Sequence, residues 1–297
     1  MNSFIDDAKR VWSRPNNGLI QLIIINVIVY VFLGVTAVIF TFSGIQEYFD
    51  LLHKQFMIPG DFYSFIYKPW TIITYAFSHS LPDFFHILFN MLLLYWFGRV
   101  FVDYLGSQKL INLYVLGAIA GGVVYMMAFN LIPDGRIPMG SYMVGASAAV
   151  FAISVAAATL VPEHTFFLLF FGPVRIKYLV AISIFISFIG SIGSNAGGNL
   201  AHLGGALVGF VYIKQLQKGN ELGVWVFKFM EFVKSFFVRR PAIKVTHKNT
   251  QTTRKEKKKT GSVDQAEIDK ILDKISEKGY ESLSKEEKQK LFNASKH

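Results

Sequence analysis

Six long apolar stretches fall between Leu19 and Leu216. A helix that crosses a bilayer needs roughly 20 mostly apolar residues. The first stretch spans about Leu19 to Phe40, with Gln21 and Asn26 as its only strongly polar interruptions. Its apolar length exceeds that of a signal-peptide core and no A-x-A-like site follows it, so it reads as a retained span. Further stretches cover roughly Phe85 to Phe101, Leu110 to Leu131, Ala146 to Val161, Ile176 to Ile192 and Leu200 to Leu216. The fourth and sixth are short and rich in Gly and Ala, which suits close backbone approach at a bundle centre. The pattern predicts an all-α fold, a polytopic membrane bundle of six transmembrane helices. His164 to Pro173, with its Phe-Phe-Leu-Leu-Phe-Phe run, reads as interfacial or as a lead-in to the fifth span. The connection from Thr41 to Phe84 is rich in Phe, Tyr, Leu and Ile, which fits amphipathic turns lying in the interface beside the bundle.

Beyond residue 217 the period stays helical but the polarity changes. Leu222, Trp225, Val226, Phe229, Phe232, Val233, Phe236 and Phe237 recur at helical spacing among charged residues, predicting an amphipathic helix on the inner membrane surface. A basic linker follows, with Arg239, Arg240, Lys244, Lys248, Arg254, Lys255, Lys257, Lys258 and Lys259. Charges then alternate around Ile268, Ile271, Leu272, Ile275, Leu283, Leu291 and Phe292; Gly279 breaks the pattern, and Ser284 with Glu287 makes a capping box. This is a small helical hairpin, too short to be stable alone with assurance. The organisation expected is a cytoplasmic N-terminus at 1–18, a core at 19–217, amphipathic helix and basic linker at 218–262, and the hairpin, of unknown role or partner, at 263–297.

Composition sharpens the class. A length of 297 residues suggests about two soluble domains, yet 52% of the residues are hydrophobic, 15% aromatic and only 17% charged. With a mean hydropathy of +0.39, polar surface is too scarce for an ordinary soluble enzyme or a disordered chain. The chain has no Cys, which removes disulfides, thiolate zinc sites and a cysteine nucleophile. The net charge of +10 sets topology. Lys9, Arg10, Arg14, Arg99, Lys109, Arg175, Lys177 and the basic tail fall on one side of an alternating six-span path. Both termini are therefore expected in the cytoplasm of a multi-pass inner-membrane protein. Beside a membrane anchor the basic run is expected to meet anionic lipid, not nucleic acid.

Ionisable and strongly polar residues inside spans are costly and read first as functional. His86 and Asn90 lie one turn apart at the outer end of the second span, Ser147 at the outer start of the fourth, and His202 near the outer start of the sixth. Spans two, four and six start in the same leaflet, so four polar side chains from three segments share one depth. Each alone has a packing explanation; matched depth does not follow from packing. Serine becomes a nucleophile when a base within hydrogen-bond reach takes its proton, and a neutral histidine can do this. A tetrahedral intermediate then needs donors aimed at its oxyanion, which His86, Asn90 and the backbone N–H of Ser147 could provide. No carboxylate is placed to complete a triad, so a Ser–His dyad is expected. The absence of H-E-x-x-H and of paired intramembrane aspartates leaves no metal or other cofactor expected.

His86-Ile-Leu-Phe-Asn90, Gly145-Ala146-Ser147, and Ala201-His202 followed by Gly205 and Gly209 together resemble the rhomboid family of intramembrane serine proteases. The resemblance covers roughly residues 15 to 217. It implies Ser147 as nucleophile, His202 as general base, and His86 and Asn90 as part of an oxyanion hole. It further implies backbone room at Gly145, an aromatic ring from Phe151 packed on the histidine, and close packing through Gly205 and Gly209. The substrates it implies are single transmembrane helices with small, helix-weakening residues, entering near the fifth span. The tail on a minimal core looks bacterial. Two departures stand out: the first-loop Trp-Arg motif is reduced to Trp70-Thr71, and Asp103-Tyr104-Leu105-Gly106 replaces an acid and arginine after the second span. The resemblance leaves a catalytically silent protein that binds or escorts transmembrane helices as the alternative reading. A channel or transporter fits poorly, since charge deep in the spans and an inverted repeat are both lacking.

Overall fold

The computed structural model describes Trp12 and residues 16–132, 142–237 and 265–294. It contains two compact units, Met1–Arg240 and Pro241–His297. The expectations for Lys9, Arg10 and Arg14 and for the basic linker from Arg239 to Lys259 lie outside the described residues.

The first unit is almost wholly helical. Helix α1 (Gly18–Phe42) buries Leu19, Leu22, Asn26 and Leu33 and turns Ile28, Val31, Phe32 and Val35 outward. The polar Asn26 is fully buried, and its amide donates to Leu22 O at 2.8 Å and to Tyr114 Oη at 3.2 Å. The Tyr114 hydroxyl in turn donates to Ala76 O at 2.6 Å. What reads as an interruption of an apolar span is thus a satisfied polar pin between helices, as burial of an amide requires.

Short elements fill the first connection: α2 (Gln46–His53), α3 (Phe62–Ile66), α4 (Thr71–Thr74) and a 3₁₀ turn at Tyr75–Phe77. Asp61 caps α3 by accepting from Ser64 N at 2.7 Å. Without an arginine after Trp70, the connection is braced otherwise. Trp70 Nε1 and Thr74 Oγ1 both donate to Gln55 O at 3.2 Å, and the fully buried Thr71 donates to Lys68 O at 2.6 Å. Ile58–Pro59 pairs antiparallel with Tyr142–Met143, tying this connection to the segment that precedes Ser147.

Helices α5 (Phe84–Leu105) and α6 (Ser107–Leu131) meet at Gly106, whose φ of 82° lets the chain reverse between them. Asp103 pairs with Arg99 one turn earlier at 3.1 Å. Helix α7 (Ser147–Leu160) follows, then α8 (Ile176–Gly190), α9 (Ala196–Gln217) and α10 (Val224–Phe237). Among the described residues four helices, α1, α5, α6 and α9, are long and apolar enough to cross a membrane; α7 and α8 are shorter apolar helices. Helix α7 sits at the centre, buried from Ala148 to Ala158 except at Phe151 and packed by α5, α6 and α9. Its contact with α9 is backbone on backbone: a side chain at Gly205 would strike Ala148 O, and one at Gly209 would strike Ala152 O.

The stretch from His164 to Pro173 belongs to a β-hairpin, Thr165–Leu168 with Gly172–Arg175, that runs directly into α8 at Ile176. Alternation explains it: Phe166 turns in against Phe97 with ring centroids 5.6 Å apart, whereas Phe167 turns out. Its tip, Leu169 to Phe171, is fully outward, consistent with an interfacial location. At the base Glu163 receives Arg175 at 2.8 Å and also Lys177; the Lys177 hydrogen bond, then the two cations' charge, holds its carboxyl below the usual range. Helix α10 buries Val226 and leaves Trp225, Phe229 and Phe232 outward, an amphipathic arrangement of the expected kind.

The second unit pairs α11 (Gln265–Lys278) with α12 (Lys285–Ala294) around Ile268, Ile271 and Leu283. The capping box forms in both directions: Ser284 N donates to Glu287 Oε2 at 2.7 Å and Glu287 N to Ser284 Oγ at 3.3 Å. Lys274 also reaches Glu287 at 2.9 Å, and Lys290 reaches Glu267 at 2.9 Å.

Candidate active site

Ser147 is the first residue of α7, and Ala146 at the N-cap supplies no side-chain cap. The leading N–H groups of a helix lack intrahelical partners, so this start is electropositive and rich in donors. Helix α9 carries His202 beside it, because Gly205 and Gly209 let the two backbones touch. The consequence is a 2.7 Å approach of His202 Nε2 to Ser147 Oγ. Phe151, one turn into α7, stacks on the imidazole with centroids 4.5 Å apart and planes within 9°. The ring is therefore held flat, its edge toward the serine.

Helix α5 supplies the opposite wall. Asp83 caps it through His86 N at 3.3 Å, which fixes the first turn and places His86 and Asn90 on one face. Asn90 Nδ2 donates to His86 O at 2.7 Å. An amide nitrogen carries two protons, so one remains for the cavity. Gly145 lies between this wall and the serine with φ of 128°, and its N–H donates to Tyr75 O at 3.0 Å. A β-carbon there would come within 2.8 Å of His86 Nε2 and 3.7 Å of Ser147 Oγ, so glycine is required by both conformation and space.

Together these residues line a cavity of about 580 Å³. His86, Asn90, Gly145, Ser147, Phe151 and His202 all border it, joined by Ser194 and Asn195 from the approach to α9. The geometry thus brings the four polar residues of the sequence reading to one cavity, with Phe151 and Gly145 beside them. Gly205 and Gly209 lie behind, at the α7–α9 contact.

Two residues escaped the sequence reading. Ser187 on α8 places its Oγ 3.0 Å from His202 Nδ1, on the far side of the ring from Ser147. His79, fully buried in the loop before α5, accepts from Ala146 N at 3.5 Å and meets the His86 ring edge-on at 5.2 Å. Its packing partner is the backbone that presents the serine. Ser-His-Ser seven residues before His86 was the available signal. Ser187 was one of three serines spaced four apart, Ser183, Ser187 and Ser191, and spacing alone does not single it out.

Known proteins match the chain over the same region. A Rhomboid domain model matches residues 67–218, just over half of the chain, and every residue placed at the site falls within that match. A model of a family of unknown function, DUF6576, matches residues 253–297. RHOMBOID-like protein 12, mitochondrial, of Arabidopsis thaliana is 38% identical over 161 residues, which is 50% of this chain and 47% of that protein. Rhomboid protein 1, mitochondrial, of Saccharomyces cerevisiae is 29% identical over 203 residues, 65% of this chain and 54% of its own length. The human Presenilin-associated rhomboid-like protein, mitochondrial, is 29% identical over 156 residues, 50% of this chain and 38% of its own. The chain spans about half the length of the curated relatives it matches. The domain match extends from the braced first connection through the serine and histidine helices, and on that basis the chain belongs to the rhomboid family.

Proposed function

We propose that the protein is an intramembrane serine endopeptidase that hydrolyses peptide bonds in or beside the transmembrane helices of other proteins. The observation that carries this reading is the 2.7 Å contact of Ser147 Oγ with His202 Nε2 at a cavity bordered by His86 and Asn90. In the first step His202 Nε2 takes the Ser147 proton as Oγ bonds to the scissile carbonyl carbon. The negative charge that develops on the carbonyl oxygen is met by the Ser147 N–H, the His86 imidazole and the Asn90 amide. His202 then returns the proton to the leaving amine, giving an acyl-enzyme. Water attacks that ester, again with His202 taking and returning the proton, and frees Ser147.

On this reading residues 19–217 form a six-span core, with α7 and α8 crossing as shorter spans. Both termini lie on the cytoplasmic, Lys/Arg-rich face of a bacterial inner membrane. The amphipathic helix and basic linker at 218–262 supply the attraction to anionic lipid there. Substrates are single-span proteins whose helices carry small, helix-weakening residues.

The test is cleavage of a single-span reporter in vesicles. Ser147→Ala should lower the rate to background, roughly 10⁶-fold for loss of a serine nucleophile, and should abolish labelling by a fluorophosphonate. Equal cleavage by wild type and Ser147→Ala would overturn the assignment. Binding of the reporter without cleavage by wild type would leave the escort reading in its place.

A further inference from the structure

We propose that Ser187 is a positioning residue for the general base: its hydroxyl oxygen holds His202 Nδ1–H and so keeps Nε2 aimed at Ser147. This rests on the dyad reading above.

The geometry is specific. His202 has two ring nitrogens; Nε2 is 2.7 Å from Ser147 Oγ and Nδ1 is 3.0 Å from Ser187 Oγ. Stacking on Phe151 fixes the plane of the ring, but a stacked ring can still turn within its own plane. Two hydrogen bonds at opposite edges stop that rotation. Serines and threonines inside helices commonly return their hydroxyls to a carbonyl of their own helix. This chain does so repeatedly: Ser183 to Leu179 O at 2.9 Å, Ser191 to Phe188 O at 2.6 Å, Ser154 to Val150 O at 2.8 Å and Thr159 to Val155 O at 2.7 Å. Ser187 stands between Ser183 and Ser191 on α8 and reaches across to α9 instead. Burial agrees, for α8 buries only Ile176, Val180 and Ser187, and the serine is 3% exposed.

The chemistry follows from the proton count. A hydroxyl can accept as well as donate, so it serves a neutral imidazole in either tautomer. Once His202 takes the serine proton both nitrogens carry hydrogen, and only the accepting role remains. Ser187 then faces Nδ1–H with an oxygen lone pair, in the place where a triad has a carboxylate. A neutral oxygen supports the imidazolium less than an anion would, and the expected effect is correspondingly modest.

The experiment uses the full chain in vesicles with a single-span reporter carrying a fluorophore and quencher on either side of the cleavage site. Ser187→Ala and Ser187→Val should each lower kcat about tenfold, the worth of one hydrogen bond, with KM unchanged. Ser187→Thr, which matches valine in shape and keeps the hydroxyl, should stay within about twofold of wild type. Wild-type kcat in Ser187→Ala would overturn the proposal. So would equal losses in Thr and Val, which would assign the effect to shape, or a rise in KM alone. Undiminished cleavage by Ser147→Ala would instead strike the dyad reading, so the two failures are distinct.

Discussion

Helices α7 and α8 hold the two ends of the same hydrogen-bonded chain, Ser147–His202–Ser187, yet they are built in opposite ways. Helix α7 is Ala-rich, enclosed from Ala148 to Ala158 except at Phe151, and touched by α9 backbone to backbone at Gly205 and Gly209. Helix α8 buries three residues and turns Ile182, Phe185, Ile186, Phe188 and Ile189 outward, each more than half exposed. Ser147 therefore stands on the most constrained helix of the bundle, and the far edge of the His202 ring is held from one of the least constrained. Small residues buy close approach in a medium where apolar surface alone does not drive helices together. Large outward side chains on α8 instead suit contact with lipid. The difference teaches that exposure of a helix does not remove it from the site, since a single inward serine is enough.

Substitutions can break this contrast. The largest effect is expected at the close contact. Gly209→Leu drives a side chain into Ala152 O, so the helices must separate at a cost of about 3 kcal/mol or more. Thermal unfolding in detergent should show a lower midpoint, and cleavage should fall with it. A wild-type midpoint would mean that α7 and α9 are not held as described. Next comes the cavity wall. Asn90→Ala should leave unfolding nearly unchanged while kcat drops by roughly 10²-fold, the usual effect of removing one oxyanion donor; an unaltered kcat would remove Asn90 from the site. The smallest effect belongs to the outward face of α8. Ile186→Ala, adjacent to Ser187, should shift stability by no more than about 0.5 kcal/mol, as surface changes generally do, and leave kcat intact. A large loss there would show that α8 is packed along its length and would erase the contrast.

Much of this was legible in the residue pattern. The stretch expected at Leu19–Phe40 is helical at Gly18–Phe42, and that expected at Ala146–Val161 is helical at Ser147–Leu160. Hydrophobic length carries such information directly. Ser147, His202, His86 and Asn90 were legible because polar side chains are rare in these spans, and the cavity gathers all four. Ser187 was not, because Ser183, Ser187 and Ser191 share one spacing and look alike until packing selects which one faces inward. His79 was hidden for a similar reason: its partner, Ala146 N, is 67 residues away. The hairpin at Thr165–Arg175 was obscured by its own composition, for a continuous Phe/Leu run masks the period of two that marks a strand. The missing first-loop arginine raised a question that only tertiary contacts answer, with Trp70 and Thr74 converging on Gln55 O.

Helix α8 has 15 residues, a rise of about 22 Å, against a hydrocarbon layer of about 30 Å. In the proposed six-span core it would be a span shorter than the layer. Such a mismatch is relieved by local thinning of the lipid or by movement of the helix. With Ser187 in the last turn of α8, the assignment made above links that relief to the imidazole of His202. Acyl-chain length then becomes a variable of the proton transfer itself, felt at Nδ1 through a single hydroxyl.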